Sequence, residues 1–393
     1  MALPKKTVVR RTPMPESISQ PVVTPIYPSV VYSSASADQL DAQYEGDVHG
    51  YTYAREGHPN ASVLAIKIDV LENASGGIIT SSGMAAISTT VLALLKQGDH
   101  IVASDQLYGR TWRMLKHDLP KMGINTTFVD PTDGQAIAAA VTPDTKMLMF
   151  EVVANPTLRI ADVTTISELA RQKNILLVID NTFTTPIGFS PYEHGADVVI
   201  HSVTKLMGGH SDVTLGYVAA KKPEHQKCIY DTAVTWGFTP SPFDCWLAER
   251  GLHSFELRFD RAQSNAMKIA DFLSKLPGVA SVLYPGQSDH PDHDRAKQVL
   301  GEDFGNMVSF VIRGGRAAAN ALINAAPQIH FAPTLGDVAT TLSHPASSSH
   351  RGLTESERKA IGIDEGFFRL SVGIEDSDLI CDELSKAIAE AVA

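Results

Sequence analysis

The chain has 393 residues, 44% hydrophobic and 20% charged, with a formal net charge of -11. Those proportions describe an ordinary soluble globular protein, and the acidic balance speaks against a nucleic-acid partner, which would need a basic face. No apolar run is long enough to cross a bilayer, and Cys228, Cys245 and Cys381 have neither metal-ligand spacing nor the even number of a disulfide framework.

A cytoplasmic protein is expected, with no membrane partner. Its start, Met1-Ala2-Leu3-Pro4-Lys5-Lys6, lacks the apolar stretch that an export leader would need. The length exceeds one comfortable core, so two domains, or a large and a small one, are expected.

Residues 1–60 read as an extended arm. Prolines at 13, 15, 21, 25 and 28 keep the chain open and forbid long helices. The arm ends in Tyr51-Thr52-Tyr53-Ala54-Arg55-Glu56-Gly57-His58-Pro59, and alternation puts Tyr51, Tyr53 and Arg55 on one side if it is extended. That pattern fits an amphipathic edge strand as well as an arginine fork offered to an anion.

Regular structure begins after Ala61. Ser62 to Leu71 has apolar residues at helical spacing, and Gly77 to Thr80 is a short strand that turns at Ser81-Ser82-Gly83 into a helix starting near Met84. Small residues between a strand and a helix start expose backbone N–H groups to an anion, although a plain tight turn explains the glycine equally well. Short apolar strands follow at His100 to Ala103, Thr126 to Val129, Lys146 to Phe150, Ile175 to Ile179 and Asp197 to Ile200, separated by helical stretches such as Ile166 to Gln172. This rhythm predicts an α/β fold with a mostly parallel sheet, helices on both faces and ligands beyond the carboxyl ends of the strands.

The polar residues ending those strands are Ser81 to Gly83, Asp105 with Tyr108, Glu151 with Asn155, Asp180 with Asn181, and Ser202 to Lys205. No Gly-x-Gly-x-x-Gly follows an early strand, which lowers the case for a dinucleotide. Lys205 sits among small residues after a buried strand, where partial desolvation would lower its pKa and suit it to join a carbonyl cofactor. Alone it would read as a surface lysine beside a turn. Asp180, twenty-five residues earlier, could form a plain ion pair or protonate a heterocyclic nitrogen. An anion site, an acid, an aromatic ring and a lysine together are what pyridoxal phosphate needs.

Five motifs then carry a resemblance: Tyr53-x-Arg55-x-Gly57-x-Pro59, Ser82-Gly83-Met84-x-Ala86-Ile87, Asp180-Asn181-Thr182-Phe183, His201-Ser202-x-Thr204-Lys205 with Gly209-His210-Ser211-Asp212, and Arg369-x-Ser371-x-Gly373-Ile374-Glu375-Asp376. From about residue 20 to the end the chain resembles the transsulfuration enzymes, the pyridoxal-phosphate enzymes of cysteine and methionine metabolism that include cystathionine γ-synthase, cystathionine γ- and β-lyases and methionine γ-lyase. The resemblance implies a fold-type I pyridoxal-phosphate transferase-like α/β fold, with an arm over 1–60, a large cofactor-binding domain over 61–250 and a C-terminal domain over 251–393.

It further implies that Lys205 carries the cofactor and moves protons, that Asp180 pairs with the pyridine nitrogen and that Tyr108 stacks on the ring and acts on the departing group. Gly83, Met84, Ser202 and Thr204 would bind phosphate, and Asn155 would donate to the phenolic oxygen. Tyr53 and Arg55 would reach the phosphate of a neighbouring subunit, so the site would form only in a dimer; the family is usually a tetramer of two such dimers. Arg369 would clamp the substrate carboxylate, helped by Asn155 and Thr334.

The remainder predicts a long helix over Pro240 to Leu276, strands at Val279 to Tyr284 and Met307 to Ile312, and helices near Ala317 to Ala325 and Asp378 to Val392. Asp-His-Pro-Asp-His-Asp, with His290, Asp292, His293 and Asp294, reads as a solvated helix start rather than a metal site, and no catalytic metal is expected. Thr52 and Pro333 stand where the family's γ-enzymes usually carry glutamates, and Arg110 where methionine γ-lyases carry cysteine, while Asp337 echoes that last group. Arg110 could meet an anionic distal group or simply face solvent. These departures favour a carbon–sulfur lyase acting on cystathionine or a related sulfur amino acid by β- or γ-elimination. The alternatives are a γ-synthase or O-acylhomoserine sulfhydrylase working by γ-replacement, or a methionine γ-lyase.

Overall fold

The structure, a computed structural model, describes residues 17–393; Pro13, Pro15 and the Met1–Lys6 start lie outside the described residues. Seven strands form the large sheet: β1 (Ile78–Thr80), β2 (His100–Ser104), β3 (Asn125–Val129), β4 (Thr145–Glu151), β5 (Leu176–Asp180), β6 (Val198–Ser202) and β7 (Gly216–Ala220). Their order is β1-β7-β6-β5-β4-β2-β3. β3, β2, β4, β5 and β6 run parallel, and β7 is antiparallel to both of its neighbours, β6 and β1. The continuous β-branched and aliphatic runs of β4 to β6 are buried on both faces, as a sheet covered by helices on either side requires.

A second sheet has the order β10-β11-β12-β9-β8, from β8 (Val279–Leu283), β9 (Met307–Ile312), β10 (His330–Phe331), β11 (Thr341–Ser343) and β12 (Phe367–Ser371). One apolar cluster runs from Phe150, Ile179 and Val199 of the first sheet through Ala266 and Leu273 to Phe310 and Leu370 of the second. The two sheets therefore share a packed core, and Arg369 on β12 is carried toward the ends of β4 and β5.

Three expectations need correction. Pro240 to Leu276 is not one helix: it divides into Pro242–Leu252 and Phe255–Leu273 around His253 and Ser254. The break follows Gly251, a weak helix former whose carbonyl is taken by the Arg258 guanidinium, and Ser254 turns its hydroxyl to the same group. The Asp-His-Pro-Asp-His-Asp stretch does start a helix, His293–Leu300, with Asp289, Pro291 and Asp294 exposed, but it is solvated only in part. His290 and Asp292 are buried, and Asp292 accepts from Arg159 Nε at 2.6 Å and from the Ile160 N–H at 3.0 Å. The arm holds a nine-residue helix, Ala37–Glu45, capped by Ser36 and ended by Gly46 at φ 84°. Only Tyr53 of the aromatic stretch pairs as a strand, with Val31; the chain then turns, with the Glu56 N–H bonded to the Tyr53 carbonyl.

Candidate active site

The carboxyl ends of β4, β5 and β6 converge on one point. Asp180 ends β5, and its Oδ1 accepts from the Thr182 N–H at 3.1 Å and from the Thr182 hydroxyl. That hydroxyl in turn accepts from the Ser202 N–H at 2.8 Å, so Thr182 ties the end of β5 to the end of β6. Burial raises the Asp180 pKa, opposed by the two Thr182 hydrogen bonds and then by the field of His201. His201 itself is bonded to the buried Glu72, whose Oε1 also accepts from the Asn181 amide at 2.9 Å.

Lys205 follows β6 by one turn, with its N–H on the Ser202 carbonyl at 3.1 Å. Burial first, and the positive charge of Arg369 second, pull its amine down to a pKa of about 8. That is the environment expected from its small neighbours, and it leaves a larger neutral fraction near pH 7 than an ordinary lysine has.

Arg369 is 5% exposed. Its Nη1 donates to Asn155 Oδ1 at 2.7 Å and its Nη2 to the Thr334 carbonyl at 2.8 Å, while the guanidinium carbon lies 5.9 Å from the centre of the Phe183 ring. Nε has no partner. Burial lowers this guanidinium to about 10, with Glu151 and Tyr108 acting in the other direction. Since Arg369 takes the Asn155 oxygen, the Asn155 amide N–H groups are the ones left to donate.

At the start of the helix Gly83–Leu94, the Ser82 hydroxyl accepts from the Ala85 N–H at 3.0 Å. The N–H groups of Gly83 and Met84 belong to the unpaired first turn. A Cβ on Gly83 would stand 2.7 Å from the Ser202 Cβ, so only glycine lets this helix start close on Ser202. Thr204 is differently placed: its hydroxyl donates to the Leu215 carbonyl at 3.1 Å and accepts from the Leu215 N–H at 3.0 Å. Tyr108 has its N–H on Glu151 Oε1 at 2.7 Å and is 43% exposed as a residue.

Tyr53 and Arg55 stand apart from this cluster. No hydrogen bond joins them to it; both are exposed and line a surface cavity of about 440 Å³ with Ile26, Val30 and Phe243. Arg55 stacks over Tyr53 at 5.5 Å and reaches the Val234 carbonyl at 3.3 Å.

In the sequence Glu151 stands out only as a strand end, Thr182 and Phe183 only as motif members, and nothing marks His350. Glu151 is buried with Oε2 unpartnered, beside both Asp180 and Arg369. His350 is buried next to the Arg369 charge, its ring bonded to the Ser349 hydroxyl at 2.8 Å. The position of Glu151 at the end of a parallel strand was its one visible signal; His350 had none.

A lowered lysine, a buried acid on the neighbouring strand, a glycine-opened helix start and an aromatic ring fit one ligand, and the unmet Glu151 and Arg369 atoms show polar capacity still unused. The family model for Cys/Met metabolism PLP-dependent enzymes matches residues 6–389. The chain belongs to that family. Its cofactor is pyridoxal phosphate, as the residues just described allow.

Among curated relatives, an L-methionine gamma-lyase of Fusobacterium nucleatum subsp. polymorphum is 40% identical over 361 residues, covering 91% of each chain. A cystathionine gamma-lyase of Bacillus subtilis is 37% identical, over 93% of this chain and 94% of the relative. A solved structure of a putative O-acetylhomoserine (thiol)-lyase from Campylobacter jejuni superposes with a TM-score of 0.91 at 26% identity, over 96% of this chain and 97% of the other, and contains N'-pyridoxyl-lysine-5'-monophosphate. The similarity thus extends over the whole architecture and over a family whose members differ in substrate.

Proposed function

We propose that this enzyme is a carbon–sulfur lyase that cleaves cystathionine or a related sulfur amino acid to a 2-oxo acid, ammonia and a thiol. The observation that carries the reading is the convergence of Lys205, Asp180 and Arg369: a lysine of lowered pKa between a buried acid and a buried guanidinium with an unmet N–H. The bound cofactor supplies an electron sink for the pair released at the substrate α-carbon. Asp180 holds the pyridine nitrogen, Tyr108 lies against the ring, and Gly83, Met84 and Ser202 bind the phosphate. Thr204 joins them by exchanging one of its Leu215 bonds. Arg369 holds the substrate carboxylate from its Asn155 and Thr334 supports, and Lys205, once free, takes the α-proton at its Nζ.

Tyr53 and Arg55 serve the phosphate of a second subunit, which accounts for an exposed arginine beside an open cavity, so the working form is at least a dimer and, as in the family, a tetramer of two dimers. The same reading divides the chain into an arm (1–60), a cofactor-binding domain (61–250) and a C-terminal domain (251–393). Three unpaired cysteines, Cys228, Cys245 and Cys381, suit the reducing cytoplasm. Among the described residues no helix is long and apolar enough to cross a membrane.

A carboxylate does stand beside Thr52, because its hydroxyl donates to Glu56 at 2.7 Å. The absence of a glutamate at position 52 therefore leaves a neighbouring acid able to receive a distal ammonium, which keeps cystathionine beside methionine as a substrate. The test is product analysis with L-cystathionine and with L-methionine. Pyruvate with homocysteine marks β-elimination, and 2-oxobutanoate marks γ-elimination. Failure to release a 2-oxo acid from either, with thioether formation from an O-acylhomoserine and a thiol, would overturn the lyase reading in favour of γ-replacement.

A further inference from the structure

The turn that follows Lys205 is held by a group with no part in the reading above. Arg258, in the first turn of the helix Phe255–Leu273, is 7% exposed and bonds to no carboxylate. Nη1 donates to the Leu206 carbonyl at 2.7 Å, and Nη2 donates to Met207 at 3.1 Å and Gly251 at 2.9 Å. Nε donates to the Ser254 hydroxyl at 3.1 Å. Asp337 adds a favourable field without a hydrogen bond, and burial works against the charge. An apolar side chain of this volume would fill the space at lower cost, so the guanidinium is explained by the three carbonyls it gathers.

Two of those carbonyls belong to the residues directly after Lys205. Gly209, two residues on at φ 76°, passes so close to the guanidinium that a Cβ there would displace it. Its carbonyl accepts from the Val338 N–H at 2.9 Å. A Cβ on Gly336 would stand 2.5 Å from the Leu206 nitrogen and 2.9 Å from the Lys205 carbonyl carbon. Gly336 also donates to the Ser371 hydroxyl at 2.8 Å, and Thr334 of the same loop receives Arg369. A continuous set of backbone contacts thus runs from Arg258, through the lysine's turn, to the loop supporting the carboxylate clamp.

We propose that Arg258 is a positioning residue: by holding the Leu206 and Met207 carbonyls it sets the reach of Lys205 and, through the Gly209–Val338 and Gly336–Leu206 contacts, the spacing between that lysine and the loop on which Arg369 rests. The inference rests on Lys205 and Arg369 having the roles proposed above. It distinguishes guanidinium from ammonium, because a lysine at 258 offers a point charge and cannot span three carbonyls with one planar fork.

The experiment compares Arg258→Lys and Arg258→Ala with the wild-type enzyme in kcat, KM, the pH at which the visible band of the bound cofactor titrates, and amide hydrogen exchange. A misplaced lysine is expected to lower kcat about 10-fold in Arg258→Lys and about 100-fold in Arg258→Ala, with KM changed far less. The band's titration shifts, exchange quickens at 206–209 and 336–338 as well as at the 251–254 break that Arg258 also ties, and added guanidinium restores part of the Arg258→Ala rate. Unchanged kcat with unchanged exchange at 206–209 overturns the proposal, and so does a rise in KM alone. Should Arg258→Ala fail to fold, Arg258→Lys decides by the same two readouts. A wild-type protein without a visible band would sink the lyase reading, whereas the exchange comparison needs no cofactor and still judges Arg258.

Discussion

Glu151 and Asp180 lie directly opposite one another at the carboxyl ends of the adjacent parallel strands β4 and β5. Burial raises both pKa values, and the Asp180 charge is the second cause acting on Glu151. Two carboxylates so placed do not both ionise easily. Asp180 has two Thr182 donors and the His201 field in its favour, whereas Glu151 has one backbone N–H, the weaker pull of Arg369 and an unmet Oε2. The proton therefore stays with Glu151, and Asp180 is left charged, as the proposed contact with a pyridine nitrogen requires.

Glu151→Gln is consequently expected to keep the fold and the cofactor's visible band, since an amide mimics the protonated acid and its oxygen still accepts the Tyr108 N–H. The folded-state pKa of Glu151 lies above its unfolded value, so its contribution is most favourable below the unfolded pKa and is lost as pH rises toward the folded one. Melting of Glu151→Gln should then equal or exceed wild type at pH 8, with less difference near pH 4. A variant markedly less stable at pH 8 would show that Glu151 is ionised.

Lys205 in cofactor-free protein should acylate with a midpoint near its folded pKa of about 8, well before other lysines. Depressed below its unfolded value, this lysine stabilises the fold fully only above about pH 10 and weighs against it as pH falls through 8. Arg369→Met removes a neighbouring positive charge and should move the midpoint upward. Peptide mass spectrometry after pulse labelling across pH reads it; no movement would mean that burial alone sets the value.

Arg369→Lys should lower kcat/KM by roughly 10- to 100-fold, the loss of about 1.5–3 kcal/mol from a charge-assisted hydrogen bond. The cofactor band should persist, because neither Asp180 nor Lys205 bonds to this side chain. Loss of the band in the same variant would assign Arg369 to the cofactor instead of the substrate.

Asp292 joins Arg159 and the Ile160 N–H to the segment that follows β8. Asp292→Ala leaves a half-buried guanidinium and a buried N–H unmet and should cost about 2–3 kcal/mol in denaturant unfolding. Its pKa is lowered by the Arg159 bond against the opposing effect of burial, so this contribution is present above the unfolded carboxyl pKa and disappears as pH falls through the folded one. A difference from wild type that persists at pH 2 would contradict it.

Arg55→Ala and Lys205→Ala should each be inactive, yet mixing the two under subunit exchange should recover about a quarter of the wild-type rate, since random pairing makes half the dimers mixed, each with one intact site. Steady-state assays of the mixture check this. No recovery would place Arg55 in its own subunit's site or outside any site.

Much of the candidate site was legible because it sits where parallel strands end. Asp180, Ser202 and Lys205 close strands whose apolar runs are obvious, and Gly83 opens a helix after a short strand. Pro240 to Leu276 misled because apolar spacing continues through His253 and Ser254, and only the Arg258 guanidinium, reaching back to the Gly251 carbonyl, reveals the break. The His290 to Asp294 run looked solvated because charged residues usually are; Asp294 is exposed, whereas Asp292 is buried and paired with Arg159, more than a hundred residues earlier.

The α/β rhythm, the family and the cofactor can be read along the chain alone, since strand periodicity, turn glycines and short motifs are local patterns that survive without knowledge of the fold. Which of two facing carboxyls is favoured to keep a proton, that Arg369 rests on Asn155 across 214 residues of chain, and that Arg258 holds the turn of Lys205 all emerge from packing in three dimensions. Those outcomes depend on distance and burial between segments remote in sequence, and no local pattern encodes either.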